Sequence, residues 1–321
     1  MSAAADTVDL TADLAGLPLT TPIVLASGTA MYGREIGAFL DLGRIGAVVT
    51  KSVLPRPWDG LPPVRAARTP AGMLNAIGLQ GEGIDALLDE QLAWLTEHGA
   101  TVIVSLAGHS IDDYAAAAAR IAAHELPVDT VELNISCPNV ADQNKVFARD
   151  STAAAEVVAG VRAVLPRTRL SAKLSADVPD IVEVARACVE AGADALSLIN
   201  TLLGAAIHPR TLRPSLSAVF GGLSGPAIRP VAVRCIWQVH QAMPDIPILG
   251  GGGVRSGQDV IELTAAGASA VAIGTINFEE PDAAVRITAE LRAALARHGY
   301  RRYRDLIGVA HRGRVASGAG A

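Results

Sequence analysis

Two lysines, two glycine clusters and one cysteine are the residues of this 321-residue chain with the most chemistry to offer. Lys51 follows Ala47-Val-Val-Thr50, and Lys173 follows Leu170-Ser-Ala172. Each lysine thus closes a short apolar run, and a buried ammonium needs an anion. Gly250-Gly-Gly-Gly253 precedes a helical pattern near Ser256, and Gly274-Thr275 closes the last apolar run. Backbone N–H groups in such loops, with a helix N-terminus behind them, bind phosphate. A plain glycine-rich turn or a Rossmann-type loop reads the same in isolation, so position has to decide. Cys137 stands in Ser136-Cys-Pro-Asn139. A thiol acts as a base only when its thiolate is stabilised below the ordinary pKa of about 8.5. Most free cysteines are small buried hydrophobes instead. Cys188 and Cys235, inside helical patterns, are read that way. Three widely spaced cysteines make no disulfide framework and no zinc site. The histidines lack ligand spacing, and His109 and His208 are read as polar loop residues, so no metal is expected.

The elements that must position these residues repeat. Short β-rich runs lie at Ile23–Ala26, Ala47–Thr50, Val102–Ser105, Val131–Ile135, Leu170–Leu174, Ala195–Ile199, Ile246–Leu249 and Ala270–Ile273. Amphipathic stretches separate them: a short one near Arg34–Leu42, then Ile84–His98, Ile111–His124, Thr152–Leu165, Ile181–Ala191, Ala227–Ala242, Gln258–Ala266 and Ala283–His298. Glycines at 99, 192 and 267 fit left-handed helix C-caps, and Ser110 and Asp150-Ser151 fit helix starts. Eight such units predict an α/β fold, a (β/α)8 TIM barrel, with an open doubly wound sheet as the alternative. In a barrel the active site lies at the carboxyl ends of the strands, and those ends carry Ser27, Lys51-Ser52, Ser105, Asn134, Lys173, Asn200-Thr201, Gly252-Gly253 and Gly274-Thr275. Residues 8–19 read as a small hairpin capping the barrel bottom. Residues 53–83 are too long for an idle loop and read as a functional lid or wall after strand two. No linker or low-complexity tract interrupts the chain, so 1–321 is read as a single domain.

Composition removes several function classes. The net charge is −5, with no dense basic stripe, which argues against nucleic acid as a partner. No run approaches the apolar length of a membrane span, and the start lacks the pattern of a signal peptide. A cytoplasmic location is expected.

Motifs in order then carry a family resemblance. They are Ala26-Ser-Gly-Thr29, Thr50-Lys-Ser-Val53, Gly72-Met-Leu-Asn-Ala-Ile-Gly-Leu79, Glu132-Leu-Asn-Ile-Ser-Cys-Pro-Asn139, Ile199-Asn-Thr201, Gly221-Gly-Leu-Ser-Gly-Pro-Ala-Ile228 and Gly274-Thr275. Together they resemble the class 1 dihydroorotate dehydrogenases, in the subtype that passes electrons to an NAD-linked iron–sulfur flavoprotein subunit. The resemblance runs from about residue 8 to residue 310. It implies an FMN cofactor held by Ser27, Lys51, Ser52, Ser105, Asn134, Lys173, Ile199, Gly225, Gly252, Gly253, Gly274 and Thr275. It implies a substrate met by Lys51, Asn75, Ala76, Ile77, Gly78, Leu79, Asn134, Asn139, Asn200 and Thr201. The catalytic set would be Cys137 as base with Lys51 and Lys173. Dihydroorotate would lose its C5 proton to the base and its C6 hydride to FMN. Lys173 would place positive charge where negative charge develops. A homodimer and an iron–sulfur/FAD electron-transfer subunit are the implied partners.

The chain departs from the family pattern at four places. Ser105 stands where asparagine is usual, and the loop Val140–Arg149 lacks the usual glycine pair and Phe-Gly. Ala205 and His208 replace methionine and aspartate, and Gly81-Glu82 replaces Asn-Pro. The alternatives to dihydroorotate oxidation are a flavin enzyme acting on another dihydropyrimidine, a catalytically quiet flavin-binding subunit, or a lyase using Lys51 or Lys173 as a Schiff base.

Overall fold

The computed structural model describes residues 7–136, 138–139 and 145–312. Eight parallel strands close into a barrel. We number them β1 (Ile23–Leu25), β2 (Ala47–Val49), β3 (Val102–Leu106), β4 (Thr130–Asn134), β5 (Arg169–Leu174), β6 (Ala195–Leu198), β7 (Ile248–Gly251) and β8 (Ala270–Ile273). Each pairs with the next in chain order, and β8 pairs with β1. This is the expected (β/α)8 barrel.

Side chains alternate across each strand, and the alternation sorts them into two cores. Outward residues such as Ile23, Leu25, Val48, Val131, Leu133, Leu170, Val271 and Ile273 pack into one large cluster with the surrounding helices. Inward residues Val24, Ala47, Val49, Ile103, Ala195, Leu249 and Ala270 form a second cluster with Leu14, Leu17 and Leu19. Those three leucines belong to the antiparallel hairpin Ala12–Leu14/Leu17–Leu19. The hairpin of residues 8–19 therefore plugs the amino-terminal end of the barrel, as expected.

The helices start where polar caps satisfy their orphan N–H groups. Ser110 accepts from Asp113 N at 3.2 Å, and Asp150 accepts from Thr152 N and Ala153 N at 2.9 and 3.1 Å. Gly99, Gly192 and Gly267 follow helices at φ of 70°, 109° and 129°, where a side chain would be strained.

Three boundaries differ from the sequence reading. Near Arg34–Leu42 only Arg34–Gly37 is α-helical, and Leu42 opens a 3-10 turn, Leu42–Arg44. The helix from Ile84 contains a π-type segment, Leu87–Leu92. Strand seven runs Ile248–Gly251 rather than Ile246–Leu249. Its last two residues are the first glycines of the run expected to be loop. A Cβ at Gly250 would lie 2.7 Å from the Ala268 Cβ, so that position admits no side chain, and one at Gly251 would lie a tight 3.3 Å from the Ala272 Cβ.

The segment 53–83 is half of the wall over the barrel mouth. Its strands Ala66–Thr69 and Gly72–Asn75 join Phe220–Ser224 and Leu202–Ala205 in a four-stranded antiparallel sheet. The other half comes from the long connection after β6. The two halves approach so closely at Gly72 that a Cβ there would collide with the Ser224 carbonyl oxygen, 1.9 Å away.

Candidate active site

Between the barrel's carboxyl end and this sheet lies a cavity of about 1840 Å³. Its floor comes from the strand ends. Ser27 leaves β1, Lys51 and Ser52 leave β2, Asn134 ends β4, and Lys173 projects from β5; all five line the cavity. Ile199, Asn200 and Thr201 line it after β6, and Gly252, Gly253, Gly274 and Thr275 line it after β7 and β8. The roof contributes Asn75, Ala76, Ile77, Gly78 and Leu79, together with Gly225. Lys51 is only 9% exposed, so its charge is held at the wall rather than in open water. Residues far apart in sequence are thus brought to one concave surface, the usual form of a small-molecule site.

Three expected site residues need separate comment. Ser105 is fully buried and is not part of the cavity wall. Its hydroxyl instead lies 2.8 Å from the Ser52 hydroxyl and donates to Glu132 Oε1 at 3.3 Å. Cys137 lies outside the described residues, although Ser136, the residue before it, lines the cavity. Asn139 belongs to a two-residue strand paired with Lys145, but its side chain lies outside the description.

A carboxylate that the sequence reading left out sits at the base of the cavity. Glu132, in the middle of β4, is 1% exposed. The Lys173 ammonium is 3.4 Å from its Oε1, and the Ser197 hydroxyl donates to its Oε2 at 2.8 Å. Register explains the gathering: Ser105 and Ser171 on the flanking strands stand directly opposite Glu132, and Lys173 stands opposite both Asn134 and Ser197. The signal was legible as a period-two pattern of polar residues inside apolar strands: Glu132 and Asn134, Ser171 and Lys173. Above this layer Asn134 Nδ2 donates to Ser52 Oγ at 3.0 Å, and Asn200 Nδ2 donates to Asn134 Oδ1 at 3.1 Å.

The glycine-rich end behaves differently from expectation in one respect. The helix after β7, Gly257–Ala266, does not offer its N-terminus to an outside anion. Asp259 Oδ2 accepts from Arg255 N and Ser256 N at 2.8 and 2.9 Å, and Glu290 Oε2 accepts from Gly257 N at 2.9 Å. Two of the chain's own carboxylates already take that positive end. What remains for a phosphate is the loop backbone around Gly252-Gly253 and Gly274-Thr275. Gly253 adopts φ of 71° and Gly252 of 140°, and a Cβ at Gly253 would meet the Gly225 oxygen at 2.7 Å. At Gly274 a Cβ would meet nothing nearer than 3.7 Å, and at Gly28 nothing within 4 Å. Both residues line the cavity. The space beside both residues is open, and a ligand pressed against the backbone would fill it.

The other cysteines are apart from this site. Cys188 and Cys235 are fully buried in the helical layer, and burial pushes the Cys188 thiol up to about 12. His208 is exposed in the outer hairpin, its ring nitrogen 3.3 Å from Thr211 N.

A parallel eightfold barrel with a lysine and amides on its floor and bare backbone at one end has the make-up of a barrel enzyme that seats a flat, phosphate-bearing cofactor across its mouth. The dihydroorotate dehydrogenase family profile matches residues 9–295 of the chain. A protein of Geotalea daltonii named dihydroorotate dehydrogenase B (NAD(+)), catalytic subunit, is 49% identical over 302 residues, which cover 94% of this chain and 98% of that protein. Proteins of the same name from Desulforudis audaxviator and Geobacter sulfurreducens are each 46% identical, covering 93% and 94% of this chain and 96% and 98% of their own. The chain belongs to the dihydroorotate dehydrogenase family. Family enzymes of this type are FMN-dependent oxidoreductases.

Proposed function

We propose that this chain oxidises dihydroorotate to orotate in pyrimidine biosynthesis with FMN as its cofactor. The observation that carries the reading is that one cavity sets Lys51, Asn75, Asn134 and Asn200 beside Lys173 and the glycine loops. FMN supplies the acceptor for the hydride that leaves C6 of the substrate. The chain's own residues do the rest. Gly252, Gly253, Gly274 and Thr275 would hold the cofactor phosphate on backbone groups. Lys173, braced on Glu132, holds a fixed positive charge on the cofactor side of the floor, where negative charge develops during oxidation. Lys51 pairs with the substrate carboxylate. The amides of Asn75, Asn134, Asn139 and Asn200 supply directional donors and acceptors for the ring. Cys137, next in the chain after the cavity-lining Ser136, takes the C5 proton as general base. The sheet over the mouth, with Ala76 to Leu79, excludes water.

The same reading takes residues 1–321 as one FMN-binding barrel domain, in a homodimer in the cytoplasm. No helix among the described residues is long and apolar enough to cross a membrane. The relatives named above are catalytic subunits of an NAD(+)-linked enzyme. By that likeness an iron–sulfur/FAD subunit accepts the electrons.

Turnover with an artificial electron acceptor tests the substrate. Orotate should accumulate, detected by its ultraviolet absorbance, when dihydroorotate is supplied, and dihydrouracil should be consumed far more slowly. Lys51 has no carboxylate to meet on dihydrouracil. Equal rates on both would replace dihydroorotate by a broader dihydropyrimidine substrate.

A further inference from the structure

Glu132 does more than neutralise Lys173. An ionised carboxylate only accepts hydrogen bonds, and a serine hydroxyl has one proton to give. Ser105 spends its proton on Glu132 Oε1. In the 2.8 Å contact between Ser52 and Ser105, the donor must therefore be Ser52. Ser52 in turn accepts from Asn134 Nδ2. The Asn134 carbonyl oxygen accepts from Asn200 Nδ2, and the Asn200 oxygen accepts from Thr201 N at 2.8 Å. Every bond from Thr201 down to Glu132 points the same way, and each polarises the next. A second branch ends on the other oxygen: Ser197 donates to Oε2, so Ser171 must be the donor in its 3.1 Å contact with Ser197. That branch runs from Ser197 back to Ser171 and includes no asparagine.

We infer that Glu132 is a positioning residue for substrate recognition. Through Ser105 and Ser52 it fixes which edge of the Asn134 and Asn200 amides, oxygen or N–H, faces the substrate. The inference rests on the proposed function. An amide at a cavity wall can flip with little change in shape, and only its hydrogen-bond partners decide its orientation. Here the decision is made by a carboxylate that is 1% exposed at the base of the cavity.

The test compares three variants of the FMN-loaded protein, reading the orotate dissociation constant from the flavin absorbance change and the KM for dihydroorotate. Ser105→Ala cuts the branch to the asparagines while leaving the Glu132–Lys173 contact. It should weaken orotate binding about three- to tenfold, the usual worth of one neutral hydrogen bond, and raise the KM in parallel. Glu132→Gln can donate as well as accept, so the chain loses its fixed direction, and orotate binding should weaken at least as much. Ser171→Ala removes a hydroxyl of equal burial from the other branch and should leave orotate affinity unchanged. If Ser105→Ala binds orotate as tightly as wild type, or if Ser171→Ala weakens binding equally, the inference is overturned. The functional reading would survive either result, because it is tested by the wild type alone. A wild type that fails to bind orotate overturns both.

Discussion

The two ends of the barrel are built from the same strands and could hardly differ more. At the amino-terminal end, inward side chains meet the leucines of the hairpin in a dry, apolar plug. Two residues further along, roughly 7 Å on at the rise of a strand, several inward positions turn polar. Ile103 gives way to Ser105, Ala195 to Ser197 and Val49 to Lys51. The outward faces show no such change; they stay apolar from end to end against the helices. Stability and chemistry are thus divided along the barrel axis rather than between separate elements. A substitution's position along its strand should decide whether it costs stability or function.

Changes at the two ends can break or sharpen that division. The largest effect on cofactor affinity belongs to Lys173→Ala. It removes a charge-assisted contact at the carboxyl end, and FMN affinity should fall about ten- to a hundredfold, measured by cofactor retention on dilution. Apoprotein stability should fall as well, because Glu132 loses its buried cation, so cofactor retention is the deciding readout. Retained FMN with a collapsed melting temperature would place Lys173 in the structural half instead. At the opposite end, Leu14→Ala empties a site that is 1% exposed and should cost roughly 2–5 kcal/mol of stability. The rate at low temperature should hold, and a large loss of rate without a loss of stability would contradict the division. The smallest effect is expected in the helical layer. Iodoacetamide on the folded protein should leave Cys188 unmodified, because burial holds its thiol far from ionisation. Mass mapping of the alkylated peptides would show it.

Much of this architecture was legible in the sequence because it rests on local periodicity. Eight apolar runs alternating with amphipathic stretches, glycine C-caps and the Ser110 and Asp150 starts all report on nearest neighbours along the chain. The strand ends named the floor of the cavity for the same reason. What escaped depends on pairing across the sheet. Glu132 looked like one letter of a motif until register set it opposite Ser105 and Ser171. Ser105 looked like a flavin contact because it is near a strand end, yet its side chain is spent on Ser52 and Glu132. The partner of the 53–83 wall, Leu202–Ala205 with Phe220–Ser224, is more than a hundred residues away in the chain, and nothing local announces it. The helix N-terminus behind the glycine run looked available to a phosphate, and only tertiary contact reveals Glu290 on its first N–H.

The central claim is that this cavity oxidises dihydroorotate with Cys137 as its base, and anaerobic stopped-flow reduction tests it most directly. Mixed with dihydroorotate, wild-type protein carrying FMN should bleach fully. Cys137→Ala should keep its FMN and still bind orotate. Its bleaching should be slower by roughly two to four orders of magnitude, the usual worth of a positioned general base. Bleaching of Cys137→Ala at the wild-type rate would send the proton elsewhere. A wild type that binds FMN and orotate yet never bleaches would make the chain a quiet flavin-binding subunit.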